Sequence, residues 1–260
     1  NGLVLLSSIL NALIFSGAWF LQKKNLVTLS LEQVLTISLV VTSLLFLLQA
    51  AMFLYSREKI SFKIKKVIRP ILLFSSIGWL TGVMGFAVRR IDFWFVEYYR
   101  SIDQLGYYAL AAGLVDILIT IVLPATYVLS PYLTNANREQ REAILGRFSR
   151  ITIAMMTVLT IIALPLIKPM LPFLYGTEFT SAVLPLQILW IGGLLLLIRN
   201  IFLMYNVATN NLAPNFFAVL ASLLATLILD FMLVSRYGIV GASWASVVAY
   251  GVGSLIVMIS

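Results

Sequence analysis

Three ionisable residues stand close together in an apolar stretch that runs from Pro70 to Tyr99, and their types suit the binding of a charged solute. They are Arg89, Arg90 and Asp92. An unpaired charge in hydrocarbon costs roughly 3 kcal/mol on insertion scales, so such residues usually line an interior cavity and have a partner. We therefore expect these three side chains to belong to a substrate cavity.

A continuous helix from Pro70 predicts how these charges pair. Arg89 and Asp92 are three residues apart and share a helical face, where they can form an ion pair. Arg90 points about 100° away from Arg89, so we expect Glu97 to balance it while it offers positive charge to an anion. The alternative is an anchoring cluster, in which the charges pair at the membrane interface and contact no substrate.

Asp116 is the second candidate. It lies about ten residues into a span that begins at Gly106, or ~15 Å at the helical rise, which is close to the bilayer midplane. A carboxylate at this depth must be protonated, paired or in contact with water. We expect Asp116 to line the cavity and to take part in ion coupling; the alternative is a hydrogen bond between helices. Small and polar residues recur beside it at helical spacing and form a stripe that we expect to face the cavity: Ala109, Ala112, Gly113, Asp116 and Thr120.

Two further charges lie near the ends of later spans. Asp230, near the exit of the seventh span, is a second candidate for ion coupling. Arg199, towards the end of the sixth, is expected to extend its guanidinium to the membrane interface.

The composition identifies the class of protein to which these residues belong. Hydrophobic residues make up 61% of the 260 residues and charged residues 11%, and the mean hydropathy is +1.02. A soluble domain carries about twice that charge. Apolar runs near the ~20 residues of a spanning helix exclude the ~10-residue strands of a membrane barrel. We predict an all-α integral membrane protein with about eight transmembrane helices.

The residue types also limit the chemistry. Cysteine and histidine are absent, which removes thiolate chemistry, the commonest metal ligand and the usual general base. The sequence has no phosphate-binding loop, zinc motif or nucleophile elbow. We therefore expect no enzymatic activity, no metal and no cofactor. The net charge of +8 is assigned to loops between spans and not to nucleic-acid binding.

The predicted spans follow from the apolar runs. In the last of them Gly241, Ala245, Ala249 and Gly253 are each four residues apart, and this seam of small residues predicts close packing against another helix. Because the chain opens at Asn1 and stops within an apolar run, we expect it to be part of a longer protein. The predicted spans are residues 2–21, 31–55, 70–99, a run from 106 with Pro124 and Pro131, 151–167 with prolines at its end, 183–205, a run up to 234 and a run after 238.

The basic residues predict the orientation in the membrane. Two loops, residues 56–69 and 134–150, carry ten lysines and arginines, against five on the opposite side. The positive-inside rule places these loops in the cytoplasm. The first is either an interfacial helix on an anionic leaflet or a solvated basic linker.

Several short motifs, in their order and spacing over nearly all of residues 60–260, make the chain resemble a known family. It is similar to the polysaccharide-biosynthesis flippases, of O-antigen type, of the multidrug/oligosaccharidyl-lipid/polysaccharide exporter superfamily. The motifs are Arg90-Ile91-Asp92, Leu105-Gly106-Tyr107-Tyr108-Ala109-Leu110-Ala111, Pro124, Leu174-Tyr175-Gly176-Thr177-Glu178-Phe179 with Ala182 and Pro185-Leu186-Gln187-Ile188-Leu189, and Tyr237-Gly238-Ile239-Val240-Gly241-Ala242.

The resemblance implies two six-helix lobes that face each other across a central cavity. Residues 1–55 would then hold the last two helices of the first lobe, residues 56–69 the basic cytoplasmic linker, and residues 70–260 the complete second lobe. Such proteins move undecaprenyl-diphosphate-linked oligosaccharides by alternating access. The implied location is the cytoplasmic membrane of a bacterium or archaeon, and the implied partners are the lipid-linked oligosaccharide, membrane lipids and a coupling H⁺ or Na⁺.

Two other functions fit the residues. The first is a cation-coupled multidrug or small-solute exporter of the same superfamily, which would favour carboxylates and aromatic rings in its cavity; Asp116 keeps this alternative open. The second is a membrane enzyme or assembly factor of envelope synthesis. Arginines in the cavity favour the flippase, because its cargo carries a diphosphate and arginine binds phosphate in a bidentate manner.

Overall fold

The computed structural model describes residues 14, 16–17, 30–55 and 64–259, and the regular structure in these ranges is helical throughout. The chain divides into two compact units, Asn1–Ile64 and Lys65–Ser260. Nearly all of the predicted span at 2–21 and most of the basic loop at 56–69 lie outside the described residues. The division into two lobes and a linker therefore stays a prediction.

Helix α1 (Leu31–Tyr55) lies in the first unit and has the bounds that the sequence predicts for the second span. Ser30 begins it with a reciprocal cap. The backbone N–H of Gln33 donates to Ser30 Oγ at 3.2 Å, and the backbone N–H of Ser30 donates to the Gln33 side chain at 3.0 Å. This arrangement satisfies two of the donors that a helix leaves free at its start.

The second unit contains the candidate site. Five helical stretches of the described chain are long and apolar enough to cross a membrane, which confirms the predicted all-α membrane class. The exact number of spans stays a prediction. The helices of this unit are α2 (Ile64–Val88), α3 (Ile91–Tyr99), α4 (Ile102–Asn135), α5 (Arg138–Tyr175), a 3₁₀ helix (Thr177–Ala182), α6 (Val183–Ala208) and α7 (Ala213–Ile259).

A turn at Arg89 and Arg90 separates α2 from α3, so the helix predicted to run unbroken from Pro70 is interrupted. The backbone N–H groups of the two arginines donate to Phe86 and Ala87, three residues back, at 3.1 and 3.0 Å. These tighter bonds replace the usual spacing of four and end α2. Residues three apart lie on one face only within a continuous helix, so Arg89 and Asp92 do not share a helical face.

Helix α5 contradicts the predicted basic loop at 134–150 and the predicted end near residue 167. It begins at Arg138, because Asn137 and Gln140 form a capping box of 2.9 and 3.2 Å. It continues past three prolines to Tyr175 and ends at Gly176, where φ is 102°. In the proline-rich part the Gln187 amide of α6 donates to the Leu164 carbonyl at 2.7 Å, which supplies a donor where prolines weaken the helical bonds.

Helix α7 folds back on itself at Gly238, where φ is 61° and ψ is −138°. Its two arms are antiparallel, since Ser222 Oγ in the first arm donates to the Ala249 carbonyl in the second at 2.9 Å. A Cβ atom at Gly241 or Gly253 would collide with the first arm, at the Leu233 carbonyl and Ser222 Oγ respectively. The predicted seam of small residues is thus confirmed as the contact between the arms.

The core of the second unit is built around α6, which packs against α4, α5 and α7. Its buried leucines meet the buried face of α4, which includes Val115 and Ile119, and Val219 of α7. Helix α2 is different, because its described side chains are mostly exposed and only Met84 and Val88 near its end are buried. The α2–α3 turn is therefore held at one end of a loosely packed helix.

Candidate functional site

The turn between α2 and α3 brings two arginines to the carboxylate in the middle of α4. Arg90 Nη2 lies 2.7 Å from Asp116 Oδ2, and Arg89 Nη1 lies 3.7 Å from Asp116 Oδ1. The Arg90 guanidinium also lies 5.2 Å from the centre of the Phe93 ring, a cation–π distance. Two positive charges thus meet one negative charge.

These contacts correct both predicted pairs. Arg89 pairs with Asp116 and not with Asp92, and Arg90 also pairs with Asp116 and not with Glu97, which is exposed. The cause is the break after Val88, which turns both arginines towards α4.

The cluster stays accessible. The side chains of Arg89, Arg90 and Asp116 are 36%, 43% and 26% exposed, so a ligand can reach them. The stripe predicted on α4 is half-buried at Ala109 and Gly113, and a Cβ atom built on Gly113 meets open space. This face of α4 has room beside it, and its orientation towards a central cavity stays a prediction.

Asp92 belongs to a separate, buried hydrogen-bond network. Its carboxylate accepts hydrogen bonds from the Tyr108 hydroxyl, from Ser246 Oγ at 3.3 Å and from the Phe93 backbone N–H at 2.9 Å. These donors come from α3, α4 and the second arm of α7. Asp92 therefore joins three helices, and a fixed carboxylate lies next to the arginine cluster.

Asp230 is fully buried in the first arm of α7, and no described residue donates a hydrogen bond to either of its carboxylate oxygens. A buried carboxylate without donors is costly unless it binds a proton or a cation. The described residues hold no cluster of three or more acidic side chains that could bind a metal ion.

A small cavity connects the two groups of charges. Its volume is about 20 Å³, and Arg89, Asp92, Tyr108, Asp116 and Tyr250 line it. This volume is near the minimum that one water molecule needs. Tyr250 is buried and lines this cavity between the two groups of charges.

Arg199 contradicts the prediction that it reaches the membrane interface. It is only 5% exposed, on α6, and its Nε and Nη1 atoms are buried without an acceptor among the described residues. In the sequence Arg199 is a charged residue near the end of an apolar run. An arginine at the membrane interface gives the same pattern, so the sequence does not distinguish the two positions.

Sequence reasoning missed Tyr108, Ser246 and Tyr250 as members of the site. Tyr108 is part of the buried face of α4, and the other two lie on the second arm of α7. Two of the three carried a sequence signal. Tyr108 lies in the motif Leu105–Ala111 on which the family resemblance rests, and Tyr250 follows Ala249 in the seam of small residues and therefore lies near tightly packed backbone. Uncharged residues in apolar runs otherwise look like core.

Comparisons with known proteins give one family. The family model described as "Polysaccharide biosynthesis protein" matches residues 3–184, and the match therefore includes Arg89, Arg90, Asp92 and Asp116. No curated protein and no solved structure matches the chain.

Proposed function

Since the chain belongs to the polysaccharide biosynthesis protein family, we propose that it moves an undecaprenyl-diphosphate-linked oligosaccharide across the cytoplasmic membrane by alternating access. It is then a flippase for surface polysaccharide synthesis and not an enzyme. The basic residues around α5 face the cytoplasm in this proposal, in line with the positive-inside rule.

The observation that carries the proposal is the cluster of Arg89, Arg90 and Asp116. Two guanidinium groups meet one carboxylate, so the cluster has an excess of positive charge at half-exposed side chains. A diphosphate group is an anion that arginine binds through two parallel hydrogen bonds. In this mechanism Asp116 orients the arginines while no cargo is bound, and the cargo competes for them when it enters.

The same cluster argues against an exporter of cationic drugs. Such a transporter needs carboxylates and aromatic rings that are free to meet a cation. Asp116 is already compensated by two arginines, which leaves little negative charge to offer. For the same reason Asp116 is a weaker candidate for ion coupling than Asp230.

We assign ion coupling to Asp230. Asp230 has no donors among the described residues, whereas Asp92 holds three. A proton or Na⁺ bound at Asp230 removes its uncompensated charge. Helix α3 packs against α7, the helix of Asp230, and its Asp92 accepts a hydrogen bond from Tyr108 of α4, the helix of Asp116. This packing gives ion binding a physical route to the cargo site.

The proposal is tested with Arg90 in a strain that lacks the chromosomal gene and carries the full-length protein on a plasmid. Arg90→Ala is expected to lower surface polysaccharide at least tenfold and to leave lipid-linked oligosaccharide in the cytoplasmic leaflet. Arg90→Lys should give more surface polysaccharide than Arg90→Ala but less than the wild type, because lysine keeps the charge but loses the bidentate geometry.

Arg147→Ala is the matched control, since Arg147 is exposed on α5 away from the cluster. Protein levels are compared by immunoblot. Normal polysaccharide in the Arg90→Ala strain would refute the cargo role of the cluster.

A further inference from the structure

Arg199 is a buried cation whose charge no described carboxylate balances. Its side chain lies inside the second unit, and no described carboxylate is within ion-pair distance of it. Burying a guanidinium whose Nε and Nη1 atoms lack an acceptor among the described residues opposes folding, so a structural role does not explain why it is there.

A cavity of about 310 Å³ lies next to Arg199, between α2, α4, α6 and α7. Its polar lining comes from Arg89, Arg199, Asn200, Tyr127 and Thr81, and the described residues contribute no carboxylate to it. A volume of about 300 Å³ is at the lower end of the range for small-ligand sites. The cavity is therefore large enough for a small anion and positive in charge.

Glycines on α2 keep this cavity open. Gly78, Gly82 and Gly85 all line it, and a Cβ atom built on Gly78 or Gly82 meets nothing within 4 Å. The spacing of four and three residues puts the glycines on one helical face. Larger side chains at these positions would project into the space beside the arginines.

We propose that Arg199 and Arg89 together bind a phosphate-class oxyanion in this cavity, with Asn200 and Thr81 as further polar contacts. The anion places a negative charge beside Arg199 and separates two like charges. The proposal rests on the proposed function only for the source of the anion, which we take to be the diphosphate of the lipid-linked cargo.

Arg89 connects this site to the cluster already described. It lines the cavity and is 3.7 Å from Asp116, whereas Arg90 holds the same carboxylate at 2.7 Å. Arg89 is therefore the more weakly held partner of Asp116. An anion that enters the cavity therefore takes up Arg89 more readily than Arg90.

The site is tested by the thermal unfolding of the full-length protein in nanodiscs of neutral lipid, with inorganic pyrophosphate as the probe. A ligand that binds only the folded state raises the melting temperature as its concentration rises. We expect this rise in the wild type and in Arg147→Gln, and its loss in Arg199→Gln. An equal rise in Arg199→Gln would overturn the proposal.

The same measurement without pyrophosphate separates binding from structure. Arg199→Gln removes an uncompensated buried charge, so it should melt at the same temperature as the wild type or higher. A clearly lower melting temperature would show that Arg199 has a structural partner and would contradict the proposal.

A second variant blocks the cavity and leaves both arginines in place. Gly82→Leu should abolish the response to pyrophosphate, whereas Gly106→Leu, on an exposed and open position of α4, should keep it. An unchanged response in Gly82→Leu would place the anion elsewhere and refute this cavity.

The source of the anion is tested with nanodiscs that contain either undecaprenyl diphosphate or phosphatidylglycerol at the same mole fraction. A larger stabilisation by undecaprenyl diphosphate, lost in Arg199→Gln, supports the cargo as the ligand. Equal stabilisation by the two lipids would overturn that assignment. If pyrophosphate binds but no variant alters polysaccharide export, the proposed function fails and the anion site stands.

Discussion

Arg90 and Asp116, 26 residues apart in the chain, form an ion pair of 2.7 Å that fixes the α2–α3 turn against the middle of α4. Arg89 approaches the same carboxylate from the same turn. A single acidic residue therefore sets the position of both arginines. Substitutions at Asp116 should act through the arginines and not only through its own charge.

A double-mutant cycle measures the pair. Arg90→Gln and Asp116→Asn are made singly and together, and unfolding is followed in detergent. We expect a coupling energy of about 0.5–1 kcal/mol, because the side chains are partly exposed and water screens them.

The exposed pair Arg138–Glu142, with 3.0 Å between Nε and Oε1, is the control for this cycle. Its coupling should be smaller, about 0.3–0.5 kcal/mol for an i,i+4 pair on a helix surface. Strictly additive effects at Arg90 and Asp116 would show that the ion pair does not hold the turn.

Tyr108→Phe should destabilise the second unit by about 1–3 kcal/mol. The change removes the hydroxyl that donates to buried Asp92 and leaves part of a carboxylate unsatisfied. Tyr98→Phe is the control, since Tyr98 is 82% exposed and should change stability by less than about 0.5 kcal/mol. Equal effects of the two changes would mean that the hydroxyl of Tyr108 contributes nothing.

The class of fold could be predicted from the sequence because long apolar runs and the absence of alternating strands leave few solutions. The seam from Gly241 to Gly253 also identified a close helix contact, which the structure shows between the arms of α7. Both inferences rest on periodicity, which depends on local sequence alone.

The pairing of charges could not be predicted, because it depends on where a helix stops. Nothing in Val88-Arg89-Arg90-Ile91 is a proline or a glycine, so the break between α2 and α3 has no local signal. The start of α5 is the opposite case. Asn137 and Gln140 have the spacing of a capping box, which predicts the start of a helix. The many charged residues around them favour a loop instead, and this second signal led to the wrong prediction.

Gly253→Ala should destabilise the α7 hairpin by about 1–3 kcal/mol. The added methyl group would collide with Ser222 Oγ and come within 3.3 Å of the Ala218 carbonyl, and relief would need the arms to move apart. Gly251→Ala is the control, because its Cβ atom would meet only a Leu195 methyl at 3.7 Å. If both variants melt alike, the arms are less closely packed than these contacts require.

Asp230→Asn tests ion coupling. The change keeps the shape of the side chain and removes a buried charge that no described residue compensates, so the protein should be as stable as the wild type or more stable. Export of polysaccharide should nevertheless fall at least tenfold, because the site can no longer exchange a cation. The remaining export should be insensitive to an ionophore that dissipates the coupling gradient.

Asp103→Asn is the matched control for Asp230→Asn, since Asp103 is exposed in the first turn of α4. It should export polysaccharide at the wild-type level and keep its sensitivity to the ionophore. Two results would contradict the assignment. Normal, ionophore-sensitive export by Asp230→Asn would exclude a role in coupling, and a loss of both stability and export would show that Asp230 supports the hairpin. Stability must therefore be measured beside export, because only a stable but inactive variant distinguishes a coupling carboxylate from a structural one.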